Sequence, residues 1–300
     1  MIRTCFLFVF FLGLIDIEVL AQQEQDLNLL FPISDITNRN VFFNRKDINP
    51  SQINDTVRFD AYWLSHKELA GYSNSPRDNL FSVSGNVFNT RSLYGIEFEL
   101  YKNDGFRKQT LKFTYGYKFR LNEKSNIKAG TSFGFSKFSI LTNSWYMSDP
   151  TIETTNWSKN PNVNVGITYN WLYHNIGLSY LDIIKSYSEF ENNEYNVSTT
   201  IITANYFATF KLPRNFNISP ELILADYLGK INIILKGTVT YHEKFTLGFI
   251  AGQYDVNFGI MSKCLLFNKV ELGYLFEKIN DSNVNAGSYA HNFKLGFILK

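Results

Sequence analysis

The chain has 300 residues, and its 29 Lys and Arg nearly balance 27 Asp and Glu, so a formal charge of +2 gives no electrostatic basis for binding nucleic acid. Charged residues make up 19%, below the roughly 25% usual in soluble domains, while 28 Phe and 18 Tyr help raise the aromatic share to 17%. That loading, with its many Asn and Gly, suits strands and turns and argues against a helical protein.

The chain opens with MIRTCFLFVFFLGLIDIEVLAQQ. Arg3 gives a basic start, Cys5 to Ile15 an apolar core, and Val19-Leu20-Ala21 small residues at a cleavage site. Residues 1–21 therefore read as a signal peptide; the run is too short, and too interrupted by Asp16 and Glu18, to span a bilayer. Removing it leaves Cys264 as the one thiol, which excludes an internal disulfide framework. Residues 22–56 are a polar leader with weak strand character that includes NPSQIND, and they read as a periplasmic leader or a plug.

From residue 57 to 300 the hydropathy alternates with period two, the signature of strands. Fourteen segments are predicted, at 57–67, 78–86, 92–101, 109–121, 125–140, 162–171, 175–183, 197–210, 216–226, 230–239, 244–251, 256–263, 269–277 and 290–299. In 162–171, Val163, Val165, Ile167, Tyr169 and Trp171 alternate with Asn162, Asn164, Gly166, Thr168 and Asn170. The last segment sets Phe293, Leu295, Phe297 and Leu299 against Asn292, Lys294, Gly296 and Ile298. Connectors after even-numbered segments never exceed five residues, whereas those after odd-numbered ones reach twenty-one. A water-soluble sandwich has no reason to sort its loops this way. An outer-membrane barrel does, with short periplasmic turns and long extracellular loops. The expected fold is thus all-β, a transmembrane antiparallel β-barrel of about 14 strands, with apolar faces toward lipid and small polar faces inward.

Chemistry is sparse. His66, His174, His242 and His291 are scattered singly without metal-site spacing, and no nucleophile elbow, phosphate loop or C-x-x-C occurs. No catalytic residue, metal or cofactor is expected. The connectors hold the candidate functional residues: Tyr72, Pro76 and Arg77 in 68–77, Trp145, Tyr146 and Trp157 in 141–161, and Tyr187, Phe190 and Tyr195 in 184–196. Large aromatics outside the bilayer gain nothing from lipid, so they bind a partner or fold inward to close the lumen. For Pro76 and Arg77 a rigid turn and a rim charge fit equally well.

VFFN (41–44) followed by NPSQIND (49–55), the block WLSHKELAGYSNSPRDNLFSVSG (63–85), the pair Tyr115 and Tyr117 with Leu121, and the ending GSYAHNFKLGFILK together resemble the PorP/SprF proteins of the Bacteroidetes type IX secretion and gliding machinery. The likeness covers most of the chain after residue 21; its order and spacing carry it rather than any single motif. The resemblance implies a non-enzymatic outer-membrane component that supports secretion and surface attachment of partner proteins. Its implied partners are outer-membrane lipid, other machinery components, and a secreted surface protein or its C-terminal sorting domain. A passive porin or small-solute transporter is the competing reading of the barrel alone.

Overall fold

The structure, a computed structural model, describes residues 43–68, 75–86, 88, 90–102, 106–140, 158–184, 187–190, 193–196, 200–227, 230–252, 256–279 and 288–300. The strands are β1 (Phe59–Glu68), β2 (Arg77–Gly85), β3 (Ser92–Lys102), β4 (Phe106–Arg120), β5 (Ser125–Ile140), β6 (Ser158–Trp171), β7 (His174–Leu181), β8 (Tyr187–Phe190), β9 (Asn193–Asn196), β10 (Ile201–Ala208), β11 (Phe210–Leu212), β12 (Phe216–Tyr227), β13 (Lys230–Tyr241), β14 (Phe245–Gly252), β15 (Val256–Leu266), β16 (Val270–Ile279) and β17 (Ser288–Leu299). β8 and β9 form a separate hairpin, and β11 continues β10 across Thr209. The remaining fourteen strands run up and down in chain order and form one closed antiparallel ring. Closure comes from the pairing of the first strand with the last, β1 with β17, from Phe59 opposite Leu299 to Glu68 opposite Ala290, while β10 pairs with β12 as consecutive strands of the ring. Each predicted segment corresponds to one ring strand. The signal-peptide residues 1–21 lie outside the described residues.

Faces follow from the period of two. Phe293, Leu295, Phe297 and Leu299 are all exposed on the outside, while Asn292 and Lys294 between them are buried. Val165, Ile167, Tyr169 and Trp171 on β6 are likewise exposed, against buried Asn164 and Thr168. So continuous an apolar surface has no place in water and matches the lipid-facing band of a membrane barrel. Near the short turns the band carries Tyr94, Tyr115, Tyr169, Trp171, Tyr173 and Tyr241, a belt that suits the membrane–water boundary. The turns themselves are tight. Arg214–Asn215, His242–Glu243 and Phe267–Asn268 each have two successive positive φ angles, the primed geometry whose twist matches flanking strands.

The inner face departs from expectation in one respect: it is not uniformly small and polar. Leu64, Leu80, Ile223, Ile234, Ile250 and Leu275 point inward and are at most 1% exposed. They cluster with Tyr62 and Met261 around Phe43 and Ile48, which belong to the chain before β1. These positions can be apolar because something apolar occupies the lumen beside them.

If the outer band is lipid-facing, a charge there must be costly. Leu295 on β17 lies mid-strand, opposite Trp63 and Leu272. Leu295→Arg is expected to lower barrel stability by about 2–4 kcal/mol in denaturant titrations in lipid vesicles. An unchanged midpoint would place this face away from lipid.

Candidate functional site

Residues 43–57 lie within the ring. They form two single 3-10 turns, Arg45–Asp47 and Pro50–Gln52. The Asn-Pro pair explains the second turn. Pro50 is preset for its first position, and the Asn49 side chain caps it, Oδ1 accepting from the Ser51 N–H at 3.0 Å and the Ser51 hydroxyl at 2.6 Å. With Oδ1 turned back on its own segment, Nδ2 faces the wall. There it donates to the Ile167 and Leu178 carbonyls, both at 3.2 Å. Asn49 and Ser51 are fully buried.

A shelf of small residues receives this turn. Gly116 pairs with Gly130, Gly130 with Gly166, Gly166 with Ser179 and Ser179 with Thr203, one row across β4, β5, β6, β7 and β10. The chain crosses along the row at about one residue per strand. The Ile48 carbonyl accepts from the hydroxyls of Ser179 and Thr203, Asn49 covers Gly166, and Pro50 covers Gly130. A Cβ on Gly130 would lie 2.4 Å from the Pro50 carbonyl oxygen, and one on Gly166 would lie 2.1 Å from Asn49 Oδ1. These glycines are needed for close approach.

Charges secure the two ends of the segment. Lys112 Nζ lies 3.1 Å from Asp47 and 3.8 Å from Glu97, Lys46 Nζ lies 3.3 Å from Glu97, and Asn44 donates to both carboxylates. Arg45 and Lys236 both hold Glu221 at 2.9 Å, and the Arg45 guanidinium sits 4.0 Å above the Phe207 ring. Nearer the short turns, Lys118 and Lys128 meet Asp55 at 2.6 and 3.4 Å. Burial first, and then the neighbouring Glu97 charge, push the Asp47 carboxyl up to about 7. For Asp55, burial raises the pKa but is outweighed by Lys128 and Lys118, and the net direction is down.

The structure places the sequence candidates elsewhere. Pro76 and Arg77 stand at the rim opposite the short turns. The Pro76 carbonyl accepts from the Glu68 N–H at 3.0 Å, and exposed Arg77 starts β2 opposite Lys67 and Lys102. Tyr187, Phe190 and Tyr195 fall on the β8–β9 hairpin, where Tyr195 pairs with Ser188. Tyr72, Trp145, Tyr146 and Trp157 lie outside the described residues. Sequence reasoning missed the shelf and the residues bound to it. Its visible signals were the Asn-Pro pair and the glycines at inward parity on successive strands.

Two outcomes follow for the seated segment, both read by maleimide labelling of Ser51→Cys in a background without the native thiols. Gly130→Ala or Gly166→Ala should turn a protected residue 51 into a reactive one, whereas protection retained in both variants would mean that the shelf does not hold the segment. The second outcome concerns pH. An acid whose folded pKa is raised binds more protons in the folded state between its ordinary value, near 4, and about 7. Asp47 therefore favours the seated state at pH 5.5 and loses that contribution as pH rises through 7. Relative to the denatured chain labelled at the same pH, which removes the titration of the thiol itself, labelling should be faster at pH 8 than at pH 5.5, and Asp47→Asn should flatten the difference. Asp55 has the opposite sign, holding the segment above the ordinary carboxylate range and releasing it as pH falls through its lowered value.

Similarity to known proteins agrees with this architecture. Among solved structures, the Omp33 outer membrane protein of Acinetobacter baumannii aligns with a TM-score of 0.51 at 10% identity, over 81% of this chain and 98% of its own. A deletion mutant of the monoaromatic hydrocarbon channel TodX gives 0.54 at 7% identity over 87% and 94%. The toluene transporter TbuX of Ralstonia pickettii gives 0.52 at 10% identity over 84% and 92%. At such identities the likeness is one of fold. No curated protein matches the chain. The sequence model of the family described as "Type IX secretion system membrane protein PorP/SprF" matches residues 33–297. That span takes in the Asn-Pro turn, its glycine shelf and every barrel strand but the final residues of β17, and the chain is an outer-membrane β-barrel belonging to the PorP/SprF family.

Proposed function

We propose that this barrel is a non-enzymatic docking component of the type IX machinery, supporting secretion and surface attachment of a partner protein. The partner, or its C-terminal sorting domain, is held on the loops 68–77, 141–161, 184–196 and 278–289, where Trp145, Tyr146, Trp157 and the hairpin aromatics supply contact area. The short-turn face meets other machinery components. Residues 22–56 serve as a plug rather than a free leader. One observation carries the reading: residues 43–57 cross the lumen and bond to both sides of it, from Glu97 and Lys112 on one wall to Glu221 on another. A barrel so filled is suited to presenting surfaces rather than passing solutes.

A passive porin or small-solute transporter is the competing reading, suggested by the hydrocarbon and toluene transporters that share the fold. Two measurements separate them. Deleting the chain from its host should remove particular proteins from the medium or cell surface, as read by a comparative secretome, and the purified barrel should stay nearly silent in planar bilayers until residues 43–57 are excised. An unchanged secretome together with steady size-selective conductance would establish the porin instead. Within the docking reading, replacing Trp145, Tyr146 and Trp157 with Ala should leave barrel levels normal and cost the co-purifying secreted partner.

A further inference from the structure

The two ends of the barrel differ in charge. Five of the six short turns carry an exposed base, namely Arg91, Lys124, Arg214, Lys244 and Lys269, and exposed Lys300, after β17, stands beside them. Among the described residues of these turns, the exposed acids are Glu123 and Glu243. At the other end, the loops 68–77, 141–161, 184–196 and 278–289 contain seven acidic residues against four bases, Arg77, Lys159, Lys185 and Lys278. The excess of bases over acids therefore lies at the short-turn rim, these four long loops being acidic on balance.

Behind that rim lies a cavity of about 750 Å³, walled at its inner end by Phe43–Lys46 and at its outer end by Lys244 and Lys300. Its wall bases are held by carboxylates: Lys263 and Lys294 share Glu271 at 2.9 and 2.5 Å, and Lys128 holds Asp55, while the Asp60 carboxylate also lines the wall. The surplus sits at the mouth. There Lys300 has Glu243 at 3.7 Å, a solvated pair that a competing carboxylate displaces at little cost.

The position of the bases distinguishes two anionic ligands. Outward positions at the strand ends carry Phe119, Leu121, Phe210 and Leu212, all exposed. Arg120 and Lys211 alternate with them and so hold inward parity, and Lys244 and Lys300 line the cavity. These four bases are thus directed at the mouth rather than at surrounding headgroups. We propose that the short-turn mouth is a docking site for an acidic polypeptide segment, whose carboxylates meet Lys244, Lys300 and the neighbouring turn bases while its chain enters the cavity. The assignment deepens the docking reading above and rests on it for the partner's place in the machinery.

The test uses the full barrel in neutral detergent and a fluorescent ten-residue glutamate-rich peptide, followed by anisotropy. The peptide should bind at low salt and weaken as salt rises. Affinity should fall about tenfold in Lys244→Glu/Lys300→Glu, fall less in Lys244→Gln/Lys300→Gln, and stay unchanged in Lys102→Glu/Arg107→Glu at the opposite rim. Heat-modifiable migration on gels identifies variants that have folded, and the Gln pair supplies the comparison if the reversal does not fold. The proposal is overturned if the wild type fails to bind the peptide, or if the mouth variants bind it like the wild type. Equal peptide binding with altered flotation on phosphatidylglycerol vesicles would assign the bases to lipid. The deletion secretome reads the docking function independently, so a positive secretome with no peptide binding would reject this site alone.

Discussion

Hydrogen-bond closure of the ring is the constraint on which the rest of this structure depends. Hydrocarbon offers no partner for a backbone N–H or C=O, and each one left unmatched costs several kcal/mol. The β1–β17 ladder removes both edges that a fourteen-strand meander would otherwise expose. Once the edges are gone, period two sends alternate side chains to environments of opposite polarity. The same chain then presents Phe, Leu, Val and Tyr outward and Asn, Thr, Lys and Glu inward.

Closure creates a second problem inside. A ring of this size encloses more space than its own side chains fill, and its inward polar groups need partners. The segment before β1 supplies them. Its Asn49 occupies wall carbonyls, its Asp47 and Arg45 meet Lys112 and Glu221, and its Phe43 and Ile48 let Leu64, Ile223 and Leu275 be buried as in a soluble core. Such ion pairs are strongly interdependent. Removing one partner from a buried pair typically costs about 3–5 kcal/mol because the other charge is stranded. Wall and segment are therefore one cooperative unit rather than a container and its contents.

The sequence made the strands legible because a buried-or-lipid boundary acts on every second residue, and that signal is local. Loop lengths added the distinction between the barrel's two ends, since long and short connectors sort by side. The interior was harder to read for a physical reason. Gly116, Gly130 and Gly166 are separated by 14 and 36 positions in the chain but adjoin in space, and that adjacency exists only once strand register is fixed. Likewise, Asp47 and Lys112 look like ordinary solvated charges until the ring brings them together. The Asn-Pro pair was visible from the start, and its local turn chemistry could be anticipated. Its seat could not, because that seat is assembled from five strands. Inward Leu80 and Ile250 also read as exceptions in the sequence, and they make sense only beside the apolar side chains of the segment.

The covalent position of the segment has a mechanical consequence. It is joined directly to β1, whose far side forms the β17 seam. A pull applied upstream of Phe43 would load first the ion pairs of Arg45, Lys46 and Asp47 and then the Asn49 contacts across the shelf before any tension reached the seam. Those contacts run along the row of strands, so the load spreads over β5, β6, β7 and β10 rather than peeling one strand from its neighbour. The buried turn thus acts as a strain relief, isolating the joint that keeps the barrel shut from forces borne by the first part of the chain.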